Sequence, residues 1–130
     1  MSTLAKNTWQ QLARLDYQQG VAVPSAFGQD IFLISTSIAG VGYYEGINDL
    51  EGLESDSPLQ LQRDPMNQHD SLAIKVSSAS GQQIGHIPRI DNAILARLMD
   101  AGKQLSAKLE AVKQRDHWTQ VGIRVYMQNL

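Results

Sequence analysis

The stretch RDPMNQHDSLAIKV, residues 63 to 76, sets two carboxylates, side-chain amides, an imidazole and a guanidinium within the eight residues Arg63 to Asp70, directly before an apolar run. Groups of these kinds hold polar ligands by hydrogen bonds and charge, and they also build turns. Asp64-Pro65 favours turn initiation, while Asn67 and Asp70 can bond their own backbone. A turn requires neither His69 nor a second aspartate beside it, so a binding role stands next to the structural one. Strand pairing can bring further groups near: Tyr43 and Tyr44, His86 and Arg89, and Trp118.

Other chemistries are poorly served. Asp64, His69, Asp70 and His86 are residue types that ligate zinc or a hard metal, yet there is no His-x-x-x-His pair and no helix carrying two ligands. A metal-dependent nuclease is thus a minor alternative. No serine occupies Gly-x-Ser-x-Gly, and GVGYYEG has the glycines of neither a P-loop nor a dinucleotide fingerprint. No catalytic group, metal or cofactor is expected.

The frame around these groups is small. A chain of 130 residues with 42% apolar content suits one domain, able to bury roughly two-thirds of its unfolded surface. It has no cysteine, which excludes disulfides and thiolate metal sites and is compatible with a reducing compartment. Lys6, Asn7, Gln10 and Gln11 interrupt any signal-like apolar region, and no run approaches the roughly 18 residues of a membrane span. A cytoplasmic protein without membrane contact is expected. The net charge of −2 is unevenly spread: residues 1–62 hold two bases and seven acids, whereas residues 63–130 hold nine bases and six acids. Glu45, Asp49, Glu51, Glu54 and Asp56 form a local acidic cluster that would repel phosphate and is read as a solvated loop between strands.

Periodicity divides the chain into an arm, residues 1–25, and a body, residues 26–130. Leu4, Ala5, Trp9, Leu12, Ala13 and Leu15 recur at helical spacing, and Gly20 stands where a helix ends. One amphipathic helix and a linker containing Pro24 are expected there. In the body, Ile31 to Val41, Leu59 to Leu61, Leu72 to Val76 and Gln83 to Ile87 read as strands, the last two as a hairpin across Ser-Ala-Ser-Gly. Tyr43 and Tyr44 would then point to opposite faces of a strand, one buried and the other free to stack. Pro88 opens a helix whose Ile90, Ile94, Leu95, Leu98 and Met99 share a face, with Gly102 past its end. Arg89 in its first turn opposes the helix dipole unless an anion binds there. Alternation over Leu105 to Ala111 and Val121 to Met127 adds two strands. A mainly β fold follows: a small OB-like barrel of about six strands with an inserted helix and an extra N-terminal helix, closure being the means by which such a sheet removes its edges.

GYYEG, LQLQRDPMNQHDSLAIKV, GQQIGHIPR and AILARLMDAG together resemble the HIRAN domain family over about residues 31 to 127, in the manner of a stand-alone bacterial member. The family carries an Arg-Asp-Pro-x-Asn-x-(aromatic)-Asp segment and a Gly-(His/Tyr)-(Leu/Ile) strand end, and it adopts an OB-like barrel. The resemblance implies a non-catalytic module that binds single-stranded DNA, especially a free 3′ end, in repair, replication-fork or mobile-element processing, with a helicase or nuclease as partner protein. It implies that Tyr43 stacks on a terminal base, that Asn67 and Asp70 meet the 3′-terminal nucleotide, that His86 and Arg89 contact phosphate, and that Trp118 packs on a base. Two positions depart from the family pattern: His69 replaces a second stacking aromatic, and Gly42 stands where some members carry a base. With about three matched cations, modest affinity and a shallow salt dependence follow.

An aromatic face stacks any base for about 1–3 kcal/mol, so stacking does not distinguish an end from an interior position. An ionised Asp70 only accepts hydrogen bonds; it accepts one from a terminal hydroxyl and repels the anionic diester that replaces it in a continuing strand. The alternative function is a protein-interaction or regulatory domain with weak or no DNA binding, docking through its N-terminal helix and Trp9.

Overall fold

β-branched and aliphatic residues at alternate positions commit the body of the chain to strands, and the computed structural model describes residues 30–129. The expected N-terminal helix and linker lie outside the described residues. The strands are β1 (Ile31–Ser37), β2 (Pro58–Arg63), β3 (Ile74–Ser78), β4 (Gln83–His86), β5 (Leu105–Gln114) and β6 (Thr119–Met127), with one helix, α1 (Arg89–Asp100), between β4 and β5. They form one antiparallel sheet in the order β1-β6-β5-β2-β3-β4. Irregular register between Phe32 and Ile34, Val76 and Ser77, and Leu109 and Ala111 lets the sheet curl.

The curl brings the two sheet ends together at a single place. Ala39, just beyond β1, pairs with His86 of β4: the Ala39 N–H donates to the His86 carbonyl at 2.8 Å, and the His86 N–H returns to the Ala39 carbonyl at 3.0 Å. The result is a half-barrel of OB-like type, mainly β as expected, whose closure rests on one bridge rather than a full strand pair. Inside it Leu59, Ile74, Val76, Ile84, Leu109, Val121, Ile123 and Val125 are buried, joined by Leu95 and Ala96 of α1.

Three expectations about the elements need correction. The first strand ends at Ser37 rather than Val41, because Gly40 takes a left-handed φ of +75° and turns the chain into a 3-10 helix at Val41–Tyr43. The paired tyrosines therefore sit on and just after that turn, not on a strand. The acidic segment is not simply a solvated loop: Glu45–Leu50 forms a second 3-10 helix that buries Leu50 and sets Gly46 against the Gln83 backbone, while Asp49 accepts from Ser78 at 2.9 Å and Ser80 at 2.7 Å. Those two hydroxyls hold the Asp49 carboxyl below its ordinary value, Ser80 more strongly. On α1 the inward stripe is Asn92, Leu95, Ala96 and Met99, whereas Ile90 and Ile94 are 89% and 70% exposed. A polar residue at position 92 hid the true face.

Arg63 at the end of β2 ties three segments together. Its guanidinium donates to the carbonyls of Ala73 at 2.7 Å and Ser71 at 2.9 Å, and to both carboxylate oxygens of Asp100 at the end of α1, at 2.9 and 3.2 Å. Asp100 titrates below its ordinary value chiefly because of this hydrogen bonding. Arg63→Ala is expected to lower Tm by about 10 °C, from the loss of several charge-assisted bonds in a domain of this size. Arg63→Lys should recover only part of that in the same melting experiment, since one ammonium cannot reproduce the planar fork.

Candidate functional site

The segment between β2 and β3 is organised by its own polar side chains. Backbone bonds from Asp64 to the Ala73 carbonyl and from Ala73 to the Asp70 carbonyl, at 2.9 and 3.1 Å, close its base. Within it the Asn67 side-chain oxygen accepts from the His69 and Asp70 N–H groups at 2.8 and 3.0 Å, while its amide donates to Asp64 at 3.2 Å. Asn67 is thus the hub that presents His69 and Asp70, as its placement in a turn predicts.

Asp70 is held from two sides. Its Oδ1 accepts from the Leu72 N–H at 2.9 Å, and its Oδ2 accepts from the side-chain amide of Asn92 in α1 at 2.8 Å. Arg89, the first residue of α1, places Nε 3.6 Å from Oδ2 and donates through Nη2 to the His69 carbonyl at 2.6 Å. The Leu72 N–H above all, then Asn92, hold the Asp70 carboxyl below its ordinary value; partial burial opposes them, and Arg89 and Arg63 add smaller help. The group is an anion at neutral pH. It also answers the charge placed at the start of α1: Asp70 on one side, and Asp91, which accepts from Thr36 at 2.7 Å, supply negative charge where the helix dipole favours it.

The closure bridge places His86 opposite this segment. Its ring meets Tyr44 edge-on at 5.9 Å between centroids, with the Gln83 amide 3.5 Å from Nε2. Asn67, His69, Asp70, His86 and Arg89 line one open cleft of about 310 Å³ together with Ala39, Tyr44, Ala73 and Ile87. Five groups chosen from the sequence therefore converge. Two do not line that cleft: Tyr43, 89% exposed on its 3-10 turn, and Trp118, 57% exposed, which borders a neighbouring cleft of about 530 Å³ with His117, Gly42 and Val41. Ala39 and Tyr44 border both clefts, so the cleft of Asp70 and that of Trp118 adjoin at Tyr44.

Two residues of the site were not singled out for their roles. Tyr44 lines the clefts although Tyr43 is the tyrosine expected to serve; the adjacency of the two rings was the available signal. Asn92 is only 3% exposed yet touches the carboxylate. An amide between Ile90, Leu95 and Ala96 was the clue to it. Among the described residues no group of three or more His, Cys, Asp or Glu side chains is arranged to hold a metal ion, and no helix is long and apolar enough to cross a membrane.

Comparison with known proteins agrees with this architecture. Solved structures with the same fold include a protein from Lactobacillus plantarum, 25% identical with a TM-score of 0.68 over 76% of this chain and 95% of that one. The HIRAN domain of human HLTF matches with a TM-score of 0.60 at 24% identity, over 77% of this chain and 79% of that one. In sequence, the chain is 37% identical over 75 residues to the helicase-like transcription factor of Mus musculus, covering 55% of this chain and 7% of the relative. It is 35% identical over 71 residues to a putative SWI/SNF-related regulator of chromatin of Arabidopsis thaliana, covering 55% and 8%. The chain thus spans under a tenth of the length of these curated relatives. The HIRAN domain family model matches residues 31–129, nearly the whole described chain, and the protein belongs to the HIRAN domain family.

Proposed function

We propose that this HIRAN domain is a non-catalytic module that binds single-stranded DNA and recognises its free 3′-hydroxyl end. The observation that carries this is an ionised carboxylate, Asp70, set in a cleft beside two imidazoles and a guanidinium. A carboxylate offers about four acceptor sites, and the donors from Leu72 and Asn92 occupy two, which leaves capacity for a terminal hydroxyl. A 3′-phosphate in the same place would set anion against anion. Arg89 keeps N–H groups beyond the one given to His69, and with His86 and the N-terminus of α1 it suits the adjacent phosphate. Tyr44 borders both clefts and Trp118 the adjoining one, so both supply ring surfaces, and exposed Tyr43 can stack on a base projecting from them. The reading includes a helicase or nuclease partner acting at the same end, in repair, fork or mobile-element processing; of these, the name of a helicase-like relative supports the helicase.

Fluorescence anisotropy with one oligonucleotide sequence ending in 3′-hydroxyl or 3′-phosphate tests this. The hydroxyl form is expected to bind about tenfold more tightly, the discrimination of one charge-assisted hydrogen bond. The logarithm of affinity should fall with the logarithm of salt at a slope of about −2, as three cations on a single strand imply. Equal affinity for both ends sinks the end-reading role, and binding to neither points to the interaction-domain alternative.

A further inference from the structure

Asn92 is a buried amide on the core-facing stripe of α1, beside Leu95 and Ala96, in a place where an aliphatic side chain would pack without desolvation cost. Its Nδ2 reaches out of the core to Asp70 Oδ2 at 2.8 Å. Because the Leu72 N–H holds the other oxygen at 2.9 Å, each carboxylate oxygen is pinned by one rigid donor, and the plane of the group is fixed. Arg89 lies 3.6 Å from the same Oδ2 but its side chain is 72% exposed, so it adds charge rather than rigidity.

We propose that Asn92 is a positioning residue for end recognition: it holds Asp70 from the buried side so that the remaining acceptor sites of the carboxylate face the cleft. Asn92 acts in this way only if Asp70 reads the terminal hydroxyl as proposed above. A purely packing role makes a different prediction, namely that loss of the amide weakens every DNA ligand alike through general loosening of the domain.

Two variants of the full chain separate these roles, each measured by anisotropy on 3′-hydroxyl and 3′-phosphate oligonucleotides across pH, with Tm as a check on folding. Asn92→Ala is expected to weaken binding of the hydroxyl form about fivefold while leaving the phosphate form unchanged, as removal of one donor to a charged group implies. Asn92→Asp conserves shape and carries the test should the alanine variant fail to fold. It sets a second carboxyl against Asp70, and such a pair retains one shared proton to higher pH than a lone aspartate. While that proton is held, the new carboxyl donates as the amide did, and the hydroxyl form binds as it does to the wild type; when it leaves on raising pH, Asp70 loses that donor and binding of the hydroxyl form weakens. The wild type behaves in the opposite sense, its binding of the hydroxyl form weakening only on acidification. The other charged or titratable groups facing Asp70, namely Arg89, His69, His86, Arg63 and Asp64, are common to all three proteins, so the reversed pH response belongs to position 92. Should the wild type bind both ends equally, the role of Asp70 fails and Asn92 with it. If the wild type prefers the free end and both variants keep its affinity for the hydroxyl form with its pH response, Asn92 alone is excluded.

Discussion

Gly85→Ala is expected to lower Tm by about 15 °C and to open the half-barrel at its closure point. A Cβ at Gly85 would lie 2.3 Å from the Ala39 carbonyl oxygen and 2.6 Å from Ile38 Cγ2. The oxygen cannot give way without cost, because it accepts the His86 N–H at 3.0 Å in the reciprocal bridge that joins the two ends of the sheet. Either β4 moves away from Ala39, losing both bridge bonds, or Ile38 leaves a core in which it is 6% exposed. Overpacking of this kind costs about 3 kcal/mol, and in a domain of about 100 residues that corresponds to the stated shift. Gly42→Ala is the control: its Cβ would meet nothing within 4 Å, so its Tm should stay within a few degrees. Amide exchange gives a local readout. The Ala39 and His86 N–H groups should lose protection in Gly85→Ala before the Val121 to Val125 core of β6 does. Since Tyr44 and His86 meet across this closure, binding to any oligonucleotide should weaken in step; a variant with native Tm would mean that the sheet ends are not held in this way.

Much of this scaffold was legible because alternation and punctuation agree locally. Leu105 to Leu109 and Val121 to Val125 alternate strictly, and both runs are strands with their apolar side inward. Pro88 and Gly102 bracket the helix as their backbone preferences require. The failures lie where a distant partner overrides the local pattern. Gly40 could be read as one more small residue at the end of β1, since nothing nearby declares that β4 needs the chain to turn there. Ile90 and Ile94 looked like core and Asn92 fell outside the expected apolar face, yet the carboxylate that satisfies the Asn92 amide lies 22 positions earlier in the chain. Leu50 is buried inside an acidic segment whose Asp49 accepts from Ser78 and Ser80, 29 and 31 positions later in the chain. The site followed the same rule. Asn67, His69 and Asp70 share one segment whose turn chemistry is local and readable, whereas Tyr44 and Asn92 enter it only through the curl of the sheet and the docking of α1.

Asp70→Asn is expected to collapse the ratio of 3′-hydroxyl to 3′-phosphate affinity by about tenfold or more, to near unity, the discrimination of a charged acceptor. The substitution is isosteric, and the fold should survive: the new side-chain oxygen can keep the Leu72 N–H, and Asn92 can turn its amide to offer an acceptor instead of a donor. What disappears is the negative charge. Affinity for the hydroxyl end should fall, because a neutral amide is a weaker acceptor, while affinity for the phosphate end should hold or rise, because repulsion is gone and Arg89 is freed from its 3.6 Å approach to the carboxylate. Proton linkage gives an independent signature of the same group. The hydrogen bonds from Leu72 and Asn92 depress the Asp70 pKa, so the charged form, and the end preference with it, is complete at neutral pH and persists on acidification down to about pH 4, the ordinary aspartate range. Only below that range should protonation erode the wild-type ratio, while the amide variant shows no such step. A ratio that survives the substitution would take end recognition away from Asp70.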